Sequence, residues 1–235
     1  MGLPIQKAPK HKCKLSDGRE VTFRPFLVKE QKYLLLAKEG KDGTEVLDAV
    51  KDLILAVTDD KLDIDTLPMY DLEYLFLKIR CKSIGETANL TLKCRAKGCD
   101  ATHQESVDLE GIEIEQPNGE IDNTFQLSDT MGVTLRFPTA RQLVEADAIE
   151  LEGDKLVHLL KYGIHTIFDE ESVYNTDEIQ DSELTEFVES LSMIQVDKLN
   201  AFFENIPTLE HKMEWDCASC GHHNEVSLKG LQSFF

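Results

Sequence analysis

The chain has 235 residues, 41% hydrophobic and 29% charged, enough apolar material for one large domain or two small ones. Its 7 Pro and 13 Gly exclude a collagen-like or low-complexity chain, and no apolar run approaches the length of a membrane span. The net charge of −19 is unevenly placed, with 18 Lys/Arg against 16 Asp/Glu in residues 1–100 but 7 against 28 in residues 101–235, so nucleic acid and anionic membrane are disfavoured as main ligands.

The first 14 residues carry Lys7, Lys10, Lys12 and Lys14, with no acid before Asp17 and no apolar h-region, so a basic docking arm is expected rather than a signal peptide. Lys12–Leu15 and Glu20–Phe23 read as two strands around the turn Ser16-Asp17-Gly18-Arg19. Helical spacing predicts a helix from Leu27 to Gly40, a second over Thr44–Val57 and a third from Pro68 through Leu72, Leu75, Phe76 and Ile79. Residues 27–84 therefore form a small helical bundle in this reading.

After Gly85 the period changes to two. Thr87–Lys93 and Thr102–Leu109 read as strands, followed by short strands at Gly111–Glu115, Thr124–Leu127 and around Val133, Leu135 and Phe137. Thr139, with Gln142 three residues on, predicts a capping box. Helices are expected at 140–150, 154–167, 182–192 and 196–205, with an acidic loop at 169–180 and a stop at Pro207. Leu209–Trp215 and Asn224–Leu228 are the last strands, before the apolar tail Leu231, Phe234 and Phe235.

Four of the six cysteines form close pairs: Cys94 and Cys99 as C-x4-C, Cys217 and Cys220 as C-x2-C. Each pair lies between two strands, with Gly98 inside the first turn and Gly221 just after the second. This is the layout of a zinc knuckle, and two knuckles meeting give a closed four-thiolate structural site. The 117 residues between Cys99 and Cys217 make it a split zinc ribbon closed from the far end of the chain. Three other readings stay open at this stage: disulfides, which a reducing compartment opposes, free thiols, and replacement of one cysteine by His103, His222 or His223. Cys13 and Cys81 read as small core residues.

A closed four-thiolate site leaves no position for metal-bound water, and no Walker A loop, GxGxxG, HExxH, GxSxG or EF-hand loop is present. A non-enzymatic protein without a small-molecule substrate is expected. A zinc-ribbon nucleic-acid adaptor is the alternative, favoured by Lys93, Arg95 and Lys97 at the first knuckle and opposed by the −21 of residues 101–235.

Leu15-Ser16-Asp17-Gly18-Arg19-Glu20-Val21-Thr22-Phe23-Arg24-Pro25-Phe26-Leu27-Val28-Lys29-Glu30, then Tyr74-Leu75-Phe76-Leu77-Lys78-Ile79-Arg80-Cys81-Lys82-Ser83-Ile84-Gly85-Glu86, the two cysteine knuckles and the closing Leu228-Lys229-Gly230-Leu231-Gln232-Ser233-Phe234-Phe235 occur in this order. Together they resemble the T-even-type bacteriophage baseplate protein family, the one assigned to the central hub and its assembly. The likeness is densest in residues 15–95. It implies a component of a contractile tail that contacts other baseplate hub and tail proteins, in the host cytoplasm during assembly and then in the virion tail baseplate. The zinc expectation rests on the cysteines of this sequence, not on the resemblance.

The expected fold is α+β. Residues 1–84 form the arm, β-hairpin and helical bundle, and residues 85–115 plus 208–235 form a central β region around the split four-cysteine ribbon. Residues 116–207 are an inserted α-rich acidic segment. The expected metal ligands are Cys94, Cys99, Cys217 and Cys220, holding structural Zn2+. The expected partner contacts are Lys7, Lys10, Lys12, Lys14, Leu231, Phe234 and Phe235.

Overall fold

A computed structural model describes residues 8–40, 42–59, 62–115, 122–230 and Ser233. In chain order the strands and helices are β1 (His11–Lys14), β2 (Glu20–Phe23), α1 (Gln31–Glu39), α2 (Gly43–Val57), α3 (Met69–Ser83), β3 (Thr87–Lys93), β4 (Thr102–Asp108), β5 (Ile114–Glu115) and β6 (Thr124–Gln126). They continue with β7 (Gly132–Leu135), α4 (Ala140–Asp147), α5 (Glu152–Gly163), β8 (Ile164–Phe168), β9 (Val173–Asn175), α6 (Asp181–Glu189), α7 (Met193–Phe203), β10 (Thr208–Asp216) and β11 (His223–Lys229). The fold is α+β, and its sheets are small and antiparallel. No helix among the described residues is long and apolar enough to cross a membrane.

The chain divides into two compact units: Met1–Ile64, Tyr70–Glu115 and Thr208–Phe235 form one, Asp65–Met69 and Gln116–Pro207 the other. In the first unit β1 and β2 form a hairpin, and α2 buries Val46, Leu47, Val50, Leu53, Ile54 and Val57 as its spacing predicts. Asp42 caps α2, its carboxylate accepting from Glu45 N–H at 2.9 Å. Within α3, Tyr70 through Ile79 are all buried. A helix enclosed on every face must find partners for its polar side chains. Asp71 accepts from the backbone N–H and the hydroxyl of Ser16, at 2.9 and 2.6 Å. Tyr74 donates to Glu113 at 2.6 Å. Cys13 and Cys81 are buried in this unit, and burial pushes their thiols up to about 12 and about 11.

Lys78 is the hub of these contacts. Its ammonium donates to the carbonyls of Glu110 and Ile112, at 2.5 and 3.2 Å, and lies 3.1 Å from Glu113 Oε1. It thereby ties the segment between β4 and β5 to the central helix. Lys78→Met keeps the aliphatic stem and strands the two carbonyls, so unfolding free energy should fall by about 1–3 kcal/mol. The check is a urea midpoint that drops at constant slope; an unmoved midpoint would mean that the segment is held by its strands alone.

The second unit has a four-stranded antiparallel sheet in the order β6-β7-β8-β9. Leu135, Ile164, Leu184, Val188, Leu199 and Phe202 belong to its core, where Phe137 stacks on Phe202 with centroids 4.5 Å apart. The predicted capping box opens α4: Thr139 Oγ1 accepts from Gln142 N–H while Gln142 Oε1 accepts from Thr139 N–H.

Three expectations change here. The helix at 154–167 ends at Gly163, and residues 164–168 form β8 instead. A Cβ at Gly163 would lie 2.3 Å from the ring of Phe203, so any other residue there requires that ring to shift. The acidic loop at 169–180 contains β9, which completes the sheet against β8. The helix at 140–150 stops at Asp147.

Candidate metal centre

The site is built by two hairpins of the first unit. β3 and β4 pair in register from Thr87↔Asp108 to Lys93↔Thr102, and the chain between them carries Cys94 and Cys99. β10 and β11 pair from Glu210↔Lys229 to Asp216↔His223, and their turn carries Cys217 and Cys220. Each turn is closed by backbone bonds: Cys94 N–H to Ala101 O at 2.9 Å, Cys99 N–H to Ala96 O at 3.2 Å, Cys217 N–H to His222 O at 2.9 Å and Gly221 N–H to Cys217 O at 2.8 Å. Gly98 and Gly221 sit at φ of 80° and 71°, a left-handed conformation that glycine accepts without a Cβ clash. These bonds curl each turn so that its two thiols point the same way.

The two turns meet. Cys94 Sγ lies 3.8 Å from Cys220 Sγ, and Cys99 Sγ lies 3.8 Å from Cys217 Sγ. All four sulfurs fall within 4.8 Å of one another, and among the described residues this is the group able to hold a metal ion. All four are free thiols. A disulfide needs sulfurs about 2.05 Å apart. Four thiolates arranged tetrahedrally around zinc at about 2.3 Å have sulfurs about 3.8 Å apart, so the observed spacing fits metal ligation.

The electrostatics of the pocket are uneven. The N–H groups of Cys220 and Ser219 point at Cys217 and hold its thiol below the ordinary value. At Cys220 the N–H of His222 acts in the same direction. Partial desolvation of this exposed residue and the neighbouring thiols of Cys99, Cys217 and Cys94 outweigh it and push that group up. A cation bound by all four sulfurs removes the mutual repulsion that opposes ionisation.

Of the three candidate histidines, His103 and His223 are engaged elsewhere, and His222 is exposed. His103 stacks on Trp215 at 5.3 Å and 12°, with Nε2 2.8 Å from Glu105. His223 Nδ1 is 2.9 Å from Asp216 Oδ1. Asn224, which sequence reasoning treats only as the start of a strand, proves to be 2% exposed at the junction of the two turns. Its Oδ1 accepts from Arg95 N–H at 2.8 Å. The weak sequence signal for it is an amide at the first inward position after a cysteine turn.

The described basic candidates, Lys10, Lys12 and Lys14, are not part of the cysteine cluster. Lys10 pairs with Asp59, Lys12 pairs with Glu20 at 2.5 Å, and Lys14 is exposed. Lys7, Leu231, Phe234 and Phe235 lie outside the described residues.

Comparison with known proteins gives one result that covers the chain. The family described as T4 bacteriophage base plate protein matches residues 8–235. No curated protein and no solved structure matches. The match takes in both sequence phrases of the expected resemblance, both cysteine turns and the segment between them, and by that span the chain belongs to the T4 bacteriophage base plate protein family.

Proposed function

We propose that the protein is a non-enzymatic structural or assembly component of the central hub of a contractile-tail baseplate. It works through contacts with other hub and tail proteins, and one structural Zn2+ held by Cys94, Cys99, Cys217 and Cys220 clamps its two distant hairpins. The observation that carries this reading is the convergence of four thiols, within 4.8 Å of one another, two from mid-chain and two from more than a hundred residues further on, in a chain that the base plate family spans. Four protein ligands close the coordination shell, so the ion adds rigidity and offers no site for substrate or activated water. Assembly in the reducing host cytoplasm favours a metal clamp where a disulfide would not persist.

The charge asymmetry supports a docking role. Residues 116–207 hold 19 Asp/Glu against 5 Lys/Arg and offer an acidic face to a basic partner. The arm with Lys7, Lys10, Lys12 and Lys14 and the tail with Leu231, Phe234 and Phe235 are the proposed contact points at the chain ends. Lys93, Arg95 and Lys97 are exposed on the first turn, but the −21 of residues 101–235 opposes a nucleic-acid partner.

Affinity capture of the tagged protein from infected cells should recover baseplate and tail proteins, identified by mass spectrometry. Recovery of the tagged chain with no tail protein would remove the assembly reading. Elemental analysis of the purified protein should return zinc at one ion per chain; iron in its place would change the identity of the ion.

A further inference from the structure

We propose that Asn224 is the positioning residue of the four-cysteine site: its amide docks one turn onto the other, so that the four thiols stand together before an ion arrives. The inference rests on the reading of those cysteines as a metal site. A continuous chain of hydrogen bonds runs across the junction. Arg95 N–H, next to Cys94, donates to Asn224 Oδ1 at 2.8 Å, and Asn224 Nδ2 donates to His222 O at 2.9 Å. The same His222 carbonyl accepts from Cys217 N–H at 2.9 Å. One side chain thus links the backbone beside a first-turn ligand to the backbone of a second-turn ligand.

The chemistry of this position is specific. The site requires an acceptor toward Arg95 and a donor toward His222, both buried, and an amide supplies both. A carboxylate has no donor for His222 O, and an alanine leaves the Arg95 N–H without its partner and the His222 carbonyl with the Cys217 N–H alone. Asn224 also faces Trp215 directly in the β10–β11 register. Trp215 reaches the first hairpin through its stack on His103. Two neighbouring positions on the second hairpin therefore grip two points of the first, and neither grip needs a metal. Partners outside the ligand shell that orient ligands typically change metal affinity by about 10–100-fold when removed.

The test uses the full chain, stripped of metal under reducing conditions and titrated with Co2+. Wild type should give the visible absorption of a tetrahedral thiolate complex. Asn224→Ala should give the same spectrum with affinity about 10–100-fold weaker. The fluorescence of Trp215, the single tryptophan, follows hairpin docking in the same samples. Amide exchange at Arg95 in metal-free wild type provides a second readout that does not depend on the variant folding: the N–H should be protected without metal. Equal Co2+ affinity in wild type and Asn224→Ala, or an Arg95 amide that exchanges freely in metal-free wild type, overturns the proposal. Lack of any tetrahedral thiolate spectrum in wild type overturns the metal reading beneath it.

Discussion

Changing any one of Cys94, Cys99, Cys217 or Cys220 to serine should take the protein from one bound ion per chain to none under mild chelator competition. A serine hydroxyl is a poor ligand at neutral pH, and three remaining thiolates leave an open, labile position. The four variants should behave alike because the sulfurs form one cluster in which each turn contributes two. The thermal effect follows from linkage. An ion that binds only the folded state, at a free concentration about 1,000 times its dissociation constant, contributes about 4 kcal/mol. In a chain of this size that is about 10 °C in Tm. The protein should remain folded without the ion, because the first unit has an enclosed helix and a core of its own around α2 and α3. Cys13→Ala and Cys81→Ala are the controls: both residues are buried outside the cluster, so these variants should lose stability while keeping full metal content. Metal retained at one ion per chain in Cys220→Ser would point to a three-ligand, open site and would sink the closed clamp.

The cysteine turns are legible in the sequence because a turn is a local object: two thiols, a glycine and flanking alternation fix its shape without reference to the rest of the fold. The closure across 117 residues is expected from chemistry, and the pairing of β10 with β5 shows how the chain achieves it, by bringing the end of the molecule back beside residues 114–115. Asn224 is not legible, since its burial depends on where a second hairpin sits. The strand at 164–168 is hidden for a different reason. Leu156, Leu160, Ile164 and Ile167 recur at helical spacing, which extends the apparent helix. In the structure Ile164 and Ile167 are both buried although they are three apart on a strand. The register between β7 and β8 shifts at Thr134/Leu135, and that irregularity turns both side chains to one core. A bulge can thus imitate the period of a helix.

The two phrases of the resemblance, around Arg24-Pro25-Phe26 and Ser83-Ile84-Gly85-Glu86, also meet in space. Phe26 N–H donates to Ser83 Oγ at 3.0 Å, and Ser83 Oγ donates to Ile79 O at 2.6 Å. At the centre of this corner Arg24 holds Glu30 with both guanidinium nitrogens, at 3.0 and 3.2 Å, and donates to Ala56 O at 2.8 Å. Glu30 is only 3% exposed and also accepts from Leu27 N–H at 2.7 Å. The segment between β2 and α1 is therefore fixed by one buried carboxylate in a stretch with little regular structure.

Arg24→Ala leaves that carboxylate with only the Leu27 N–H and the Lys29 ammonium, and the loss should cost about 3 kcal/mol, the low end for breaking a buried pair. The effect should depend on pH in a defined direction. Burial by itself pushes the Glu30 carboxyl upward; the Arg24 guanidinium, the Leu27 N–H and the Lys29 ammonium outweigh it and hold the group at about 2, below its ordinary 4.5. A folded-state value below the unfolded one means that the stabilisation is complete above about pH 4.5 and is lost as pH falls toward 2. In Arg24→Ala the upward push of burial loses its main opponent, so the folded-state value rises and this part of the acid-dependent stability disappears. The stability gap between wild type and Arg24→Ala should accordingly be widest near neutral pH and begin to close below about pH 4.5. Glu30→Gln, which keeps an acceptor for Leu27 N–H, should cost less than Arg24→Ala at neutral pH. Urea midpoints of the three proteins across this range supply the check, and a gap that stays constant through the acid limb would show that Arg24 acts through packing and its bond to Ala56 rather than through the charge on Glu30.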